Sequence, residues 1–319
     1  MNKIKLIPVL AIVSLLSACG DKYGISLKAP KFSSVGKEVT IETFSNDLKA
    51  KFEEMKKNEN FYKGKKEISD YQGAEMSSDR VRDKKTKRES YVKSNLDTKY
   101  SYDMDSLVAQ IEEKRKSVTI SSSDDYDLTL TTDSDGVTVF QKISEENKEY
   151  FGVIDVKNEE ADCFSIDVSM KDELEKRLES VYNSLFTSSN IKKIAYSLDE
   201  MDKDDFKYVT FYENGNTFTY VYNQKLKDSE VKDSDENVYA LATGTMKMKE
   251  QITFGDGTLK IASSTLVNAD TKYTVKNGSN LVGDVVKTKL TTYISAEVKN
   301  FNKALNSVNT ENYFVQHAS

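Results

Sequence analysis

Cysteine and histidine, the side chains that most often act as nucleophiles and bases near neutral pH, are rare in this chain of 319 residues. There are two cysteines, Cys19 and Cys163, and one histidine, His317. Because His317 lies in a C-terminal tail that we expect to fray, histidine-based triads and histidine-bearing zinc sites are excluded. The patterns G-x-x-x-x-G-K-[ST] and G-x-S-x-G are also absent. We therefore expect a protein that is not an enzyme.

Acidic residues are abundant, but their spacing indicates neither a catalytic pair nor a metal site. The segment TTDSDG, residues 131–136, is the nearest to an EF-hand loop, which would need an acid at Thr131 and a glutamate at Lys142. The acidic clusters 199–205 and 228–236 would bind calcium only loosely, and solvated loops explain them better. We expect a turn between strands at TTDSDG, and no metal or cofactor.

Cys19, in contrast, stands in a context that predicts a modification. The chain begins with MNKIK, which carries two lysines, and Leu6–Leu16 is then apolar except for Ser14. A membrane span needs about twenty apolar residues, so this run of about eleven fits an export signal better. An ordinary secretory signal that happens to contain a cysteine remains the alternative.

Leu16, Ser17, Ala18 and Cys19 resemble the lipobox of bacterial lipoproteins. The resemblance implies that a peptidase recognises Leu16, Ser17 and Ala18 and removes residues 1–18, after the Cys19 thiol has been alkylated with diacylglycerol. Acyl chains such as palmitate would then anchor Cys19 in a bilayer. The implied location is the extracytoplasmic face of a bacterial cell membrane, with the lipid bilayer as the partner of Cys19.

The mature chain would be acidic, because loss of residues 1–18 removes two lysines and changes the formal charge from −6 to −8. Such a chain is a poor partner for nucleic acid. With Cys19 lipidated, Cys163 has no partner for an intramolecular disulfide. It is either a reactive thiol or, more simply, a small filler on a strand.

We expect residues 19–37 to form a lipidated cysteine with a flexible tether, and residues 38–319 to form one α+β body. Apolar spacing predicts helices in 44–58, with Ser45 or Asn46 as N-cap, and in 169–186, where Ser169 and Asp172 form a capping box. It also suggests a short helix in 104–116 and a C-terminal helix ending at Val308.

Alternating apolar residues predict strands from about residue 88 onward, whereas the polar region 57–88 holds at most one. The clearest hairpin is 206–222, with Asn214 and Gly215 at its turn, and a long strand follows with a bend at Gly244. We expect a large curved antiparallel sheet of about ten strands, shaped like a half-barrel. We expect three or four amphipathic helices to pack on it. The alternative to a single undivided body is one built from two similar halves, about 38–169 and 170–310.

This architecture loosely resembles the LolA/LppX-like lipoprotein carriers of bacterial envelopes, although no residue motif matches them. The resemblance implies an apolar cavity between sheet and helices, several hundred Å³ in size. Both faces of the 206–222 hairpin carry aromatic or aliphatic groups, so one face needs a helix, a pocket or a partner to cover it. The predicted ligand or partner surface includes Phe218, Tyr220, Met246 and Met248, although core packing explains these residues equally well.

Three functions remain open after this reading of the sequence. The first is a membrane-anchored, non-enzymatic binding module for lipid or another apolar ligand. The second is an adhesion or scaffold lipoprotein that binds an envelope protein or a glycan, and the third and weakest is a hydrolase. The basic run RVRDKKTKR, residues 80–88, could contact anionic lipid head groups or a cell-wall polyanion, or could be a solvated loop.

Overall fold

The computed structural model describes residues 24–123, 126–145, 148–165, 169–186, 189–201, 206–234, 237–278 and 280–318. In these ranges the chain forms thirteen strands and three α-helices. The helices are α1 (Ile41–Lys57), α2 (Met170–Ser184) and α3 (Asn190–Ser197). The strands are β1 (Lys37–Val39), β2 (Lys65–Arg82), β3 (Lys85–Asp103), β4 (Val108–Ser123), β5 (Asp127–Glu145), β6 (Lys148–Asp155), β7 (Glu160–Ser165), β8 (Val209–Asn214), β9 (Thr217–Lys232), β10 (Val238–Gly255), β11 (Thr258–Tyr273), β12 (Val285–Asn300) and β13 (Phe314–Ala318).

All thirteen strands belong to one open, curved sheet, in the order β1-β8-β9-β10-β11-β12-β2-β3-β4-β5-β6-β7-β13. Neighbouring strands are antiparallel, as expected, except that β13 runs parallel to β7. The sheet contains more strands than the ten that the sequence predicts. The strands of the first half, β2–β7, and of the second, β8–β12, form two adjacent blocks joined by the β12–β2 pairing.

Many strands are unusually long, since β3 and β5 have 19 residues each and β2 and β10 have 18 each. At about 3.3 Å per residue such a strand is roughly 60 Å long. Strands of this length must bend, and β10 does so where the sequence predicts it. Its register with β9 shifts between Ala242 and Gly244, and Gly244 has φ 149°. A Cβ at this position would lie 2.1 Å from the Asn268 carbonyl oxygen, so only glycine fits.

The predicted helix α2 is confirmed, since the Ser169 hydroxyl accepts a hydrogen bond from the Asp172 amide at 3.2 Å. Helix α1 is also present, but its predicted N-cap is wrong. The helix begins at Ile41, and Thr40 is the N-cap. Ser45 is instead buried and donates a hydrogen bond to the carbonyl of Ile194 in α3 at 2.8 Å. Helix α3 was not predicted, because its eight residues span barely two turns of periodic pattern.

Two segments predicted as a turn and as a helix are strands, and the polar region 57–88, for which at most one strand was predicted, holds one complete strand and the start of the next. The TTDSDG segment lies inside β5, where Asp133 pairs with Lys116 across the ladder at 2.8 Å. Residues 104–116 contain the start of β4 rather than a helix, and 57–88 contain all of β2. Both strands are central, so neighbours on each side satisfy their backbone groups. Charged side chains also pair across the ladders, as Glu67 does with Lys299 at 2.8 Å.

The predicted C-terminal helix is wrong, because β12 continues to Asn300 and the chain then runs without regular structure to Asn312. The Gln141 side chain holds this segment by two hydrogen bonds to the Val308 backbone, of 2.6 and 2.8 Å. These bonds replace the intrahelical bonds that the Asn- and Thr-containing sequence forms weakly. The tail does not fray in this structure, since His317 lies in β13.

Candidate functional site

The sheet has two faces of different character, which follow from the alternation of side chains along each strand. We call the face on which the three helices pack the inner face, and the opposite one the outer face. Ile68, Tyr102, Phe218, Ile252 and Val298 lie on the inner face and belong to one large apolar cluster with the helices. The registers of the ladders show on which of the two faces each other strand residue lies.

The helices cover only one end of the long strands, which we call the covered end. It includes the first residues of β2, β9 and β11 and the last residues of β3, β10 and β12. Aromatic contacts dominate there: Phe44 of α1 lies 4.9 Å from Phe211 and 5.7 Å from Phe218, measured between ring centroids. At α2, Arg177 stacks on the rings of Phe140 and Phe151, at 4.4 and 4.8 Å.

Three of the four residues predicted to line a binding surface lie inside this packed region. Phe218, Tyr220 and Met248 are on the inner face and are buried against the helices. Met246, one position farther along the inner face of β10, is only half-buried. The helices thus cover this face of the 206–222 hairpin, and ligand contact by the four residues stays a prediction. Leu16, Ser17, Ala18 and Cys19 lie outside the described residues.

Beyond the helices the inner face continues over five adjacent strands as a surface of uncharged side chains, which is bordered in the same cross-strand rows by Asp70, Glu250, Arg80 and Arg88. We call this surface the trough, and define it as every second residue, counted from the first, of 240–246, 263–271, 286–294, 72–78 and 90–98. Its residues are Ala, Gly, Ser, Thr, Gln, Val, Leu, Ile and Met. Met246, Val267, Leu290, Ile294 and Leu96 are half-buried, and no described helix packs on them.

The outer face of the same strands is charged, which shows that the composition of the trough is not a general property of the sheet. The outer positions include Lys247, Asp270, Lys287, Lys289, Glu75, Lys93 and Asp97. Residues 24–34, part of the predicted tether, also lie against the outer face. There Ile25 is buried beside Tyr91 and Val118, and the Lys28 ammonium pairs with Asp97 at 2.6 Å.

A buried carboxylate, Glu250, marks the boundary between the covered end and the trough. It lies on the inner face of β10, two residues before Ile252, and is only 4% exposed. Its oxygens accept hydrogen bonds from the Ser189 hydroxyl and from the Asn190 amide, the latter at 3.1 Å. Burial raises the pKa of Glu250, and these hydrogen bonds oppose that effect. The group therefore attaches the N-terminus of α3 to the sheet.

A cavity of about 260 Å³ opens at the covered end between α1 and the β10–β11 turn. Its lining combines Met55, Phe61 and Phe254 with polar and charged side chains that include Lys51, Glu54 and Asp256. The Asp256 carboxylate accepts hydrogen bonds from Asn60 and Asn58, at 2.8 and 3.1 Å, which lower its pKa. This lining is far more polar than the predicted apolar cavity, and it lies at the opposite end of the strands from the trough.

The remaining chemically active residues do not form a recognisable site. Cys163 is 1% exposed in an apolar cluster on the outer face, as its assignment to a strand filler predicts. β13 places His317 opposite Cys163 in the ladder, and the His317 ring lies 5.0 Å from that of Tyr150. The sequence could not show this pairing, because the parallel strand β13 gave no clear pattern.

Among the described residues, no three His, Cys, Asp or Glu side chains form a group that could hold a metal.

No family model matches the chain, and no curated protein does. Among solved structures it is similar to one described as lipid–protein interactions in lipovitellin, with TM-score 0.31 and 8% identity, over 77% of this chain and 26% of that one. It is also similar to the outer membrane proteins OprG and OccK7 (OpdD) of Pseudomonas aeruginosa. Each has TM-score 0.19, with 10% and 9% identity, over 76% and 74% of this chain and 99% and 98% of theirs. Among the described residues, no helix is both long and apolar enough to span a membrane.

Proposed function

We propose that this protein is a non-enzymatic binding module of the bacterial cell surface, and that its trough holds the acyl part of a lipid. The observation that carries the proposal is the absence of charge from the trough, beside an outer face that is charged on the same strands. Acyl chains that bind to a sheet face of this kind would leave water, and no charged group of the trough would lose its hydration.

The dimensions of the trough suit such a ligand. Five strands at about 4.8 Å spacing give a width of roughly 20 Å, and nine residues at about 3.3 Å give a length of roughly 30 Å. The hydrocarbon core of a bilayer, about 30 Å thick, holds two layers of chains, so one chain needs about 15 Å. Each methylene removed from water contributes about 0.8 kcal/mol.

The residue types of the trough also fit a site that must stay soluble when it is empty. Thr and Ala present methyl groups, and Thr and Ser present small hydroxyls. The surface is therefore not continuously aliphatic, as a surface that aggregates would be. The flexible side chain of Met246, which is half-buried, can adapt to irregular chains. Of the larger aliphatic residues, Leu290 and Ile294 lie on β12 and Leu96 lies on β3, on either side of β2.

In this proposal Cys19 carries the lipid anchor that keeps the module on a membrane surface. The support is the order of lysines, apolar run, small residues and cysteine in residues 1–19. The experiment is acyl labelling in cells: the wild type should incorporate labelled fatty acid, and Cys19→Ala should not. Labelling of the Cys19→Ala chain would contradict the assignment.

A scaffold role is the second candidate, favoured by two exposed aromatic residues at the β7–β13 edge of the sheet. Phe164 is 39% exposed and Phe314 is 64% exposed. Aromatic residues on an accessible sheet edge are suited to pairing with another protein. In this case Phe314→Ser should abolish capture of the partner without changing lipid content.

Native mass spectrometry of the full chain, extracted from membranes in detergent, tests the leading proposal. After gas-phase removal of detergent we expect a mass above that of the acylated chain, and solvent extraction should identify that mass as a lipid. A chain that carries only its covalent acyl groups would contradict lipid binding.

A further inference from the structure

The end of the sheet opposite the helices presents a second surface, which we call the tip. It consists of the β2–β3 hairpin, residues 80–88, and the described residues of the β11–β12 loop, 274–278 and 280–284. Because β12 pairs with β2, the two segments are neighbours. Neither belongs to the trough, although both lie at its open end.

The hairpin is the most basic segment of an acidic chain. Residues 80–88 contain six Lys or Arg residues and one acid, Asp83, while the whole chain has a formal charge of −6. Asp83 and Lys84 have φ of 51° and 59°, so the chain reverses sharply at these two residues. Lys84 and Lys85 are consequently exposed at the apex.

The loop beside this hairpin exposes aliphatic side chains. Val275 is 52% exposed, Leu281 is 40% exposed and Val282 is 68% exposed. Three such residues in one short loop next to a basic apex form a combination that is typical of proteins that insert into a membrane interface.

The two segments are fixed to each other, so they can act as one surface. The Arg82 guanidinium donates two hydrogen bonds to the Asp284 carboxylate, at 2.6 and 2.8 Å. The same carboxylate accepts a hydrogen bond from the Leu281 amide at 2.9 Å. The Asp284 side chain is fully buried, so the bridge lies beneath the exposed residues rather than among them.

Residues 25–33 lie against the outer face, and the earliest of them, Ile25, lies nearest to the tip. From β1 back along the sequence, Ser33 contacts Gln251 at the covered end, Lys28 contacts Tyr71 and Asp97, and Ile25 packs beside Tyr91. The first two contacts lie in the same cross-strand row, and only the third, at Tyr91, lies nearer to the tip.

Acidic residues lie on both sides of the tip and limit the size of the basic surface. Asp127 begins β5, the strand next to β4, and Asp228 and Glu230 lie near the end of β9. An anionic partner would therefore contact the tip without contacting the neighbouring hairpins.

We propose that the tip docks on an anionic phospholipid membrane, with Lys84 and Lys85 at the head-group phosphates and Leu281 and Val282 in the interface. The apolar loop favours a membrane over a soluble polyanion, because a polyanion would contact the lysines and leave the valine in water. Docking would orient the open end of the trough toward the bilayer. The inference rests on residues outside the trough and does not require that the trough bind lipid.

A fluorescent reporter at the tip provides a direct test, because the chain contains no tryptophan. The full chain carrying Val282→Trp is reconstituted with vesicles of phosphatidylcholine alone or with an equal part of phosphatidylglycerol. Leu266→Trp, on the outer face and 44% exposed, serves as the control reporter. We expect blue-shifted emission and quenching by acyl-chain-brominated lipid for Val282→Trp in the anionic vesicles, and neither effect for Leu266→Trp.

Charge variants of the Val282→Trp chain distinguish docking of the tip through its lysines from mere nearness of the tip to the membrane. Lys84→Glu with Lys85→Glu should reduce the affinity by about fivefold or more per lysine, whereas Lys247→Glu with Lys289→Glu, an equal charge change on the outer face, should leave it unchanged. Equal loss in both double variants, quenching of Leu266→Trp to the same extent, or no quenching of Val282→Trp would overturn the proposal. Soluble polyphosphate that binds the chain as tightly as the vesicles do would also overturn it.

Discussion

At the scale of single residues, buried polar groups connect parts of this protein that are far apart in sequence. Asp284 joins the β11–β12 loop to Arg82, Glu250 joins β10 to α3, and Gln141 joins β5 to the C-terminal segment. Each is an acid or amide within an otherwise ordinary strand or loop. Their roles follow from which backbone groups lie opposite them in the fold.

The ionised Asp284 carboxylate should stabilise the folded protein, and this stabilisation should be lost at acidic pH. The hydrogen bonds from Arg82 lower the pKa of Asp284 to about 2. A carboxylate whose pKa is lower in the folded state stabilises the fold above its unfolded pKa, near 3.8, and this stabilisation disappears as the pH falls toward 2. We expect Asp284→Asn to cost roughly 1 to 2 kcal/mol at pH 7, as measured by urea unfolding.

The comparison of the two proteins across pH isolates the carboxylate. The difference in unfolding free energy between wild type and Asp284→Asn should shrink between pH 4 and pH 2. A difference that stays constant over this interval would show that Asp284 does not supply the pH dependence.

Glu250 should behave in the opposite way, because burial raises its pKa. The folded state then holds a proton more readily than the unfolded state, and the contribution of this group to stability falls as the pH rises above 4.5. Glu250→Gln removes the charge and keeps one acceptor oxygen for the Asn190 amide, while its NH2 can donate to the Ser189 hydroxyl, so we expect equal or greater stability at pH 7. Glu250→Ala leaves the Ser189 and Asn190 groups unsatisfied and should cost about 2 kcal/mol. Urea unfolding at pH 7 distinguishes the two variants, and equal losses would contradict a role for the acceptor.

At the scale of elements, the sequence predicted those features in which local pattern and tertiary packing agree. The Ser169 cap of α2 and the Asn214–Gly215 hairpin are local signals, and both are present. The bend at Gly244 was predictable because a strand of this length must curve. The predictions failed where pairing outweighed local pattern, as in 104–116, whose helical spacing was overridden by strands on both sides.

The C-terminal segment shows why a periodic pattern alone is insufficient. Leu305 and Val308 fit a helical stripe, but they are also spaced to pack on the outer-face cluster around Cys163. The hydrogen bonds from Gln141 favour the extended form. Part of the trough was likewise predictable from the sequence, because alternating apolar residues predicted strands in this region. Its lack of charge became apparent only when the register placed β2 between β12 and β3.

The C-terminal segment should act as a cover over Cys163. Gln141→Ala removes two hydrogen bonds to Val308, so local opening should become easier and Cys163 should react about tenfold faster with a thiol reagent. Lys142→Ala, the next residue and an exposed one, is the control and should leave the rate unchanged. An unchanged rate in Gln141→Ala would show that the segment does not protect the thiol.

At the scale of the whole molecule, the helices divide the sheet into two functional parts. The covered end is a packed core that supports long strands, and the trough and tip extend from it without helices in the described residues. The proposed lipid anchor, the tip and the open trough would then all face the membrane. In this proposal the long strands have a role beyond stability, because a shorter sheet would have no surface outside the covered end.

The claim that the trough is the lipid-binding surface is tested most directly with two adjacent threonines on β12. Thr292 lies on the inner face within the trough, and Thr291 lies on the outer face. Both are half-buried, so Thr292→Lys and Thr291→Lys make the same chemical change on opposite faces. The measurement is the fraction of full chain that retains lipid in native mass spectrometry. We predict at least a tenfold loss for Thr292→Lys and wild-type retention for Thr291→Lys, whereas equal retention by the two variants would contradict the assignment.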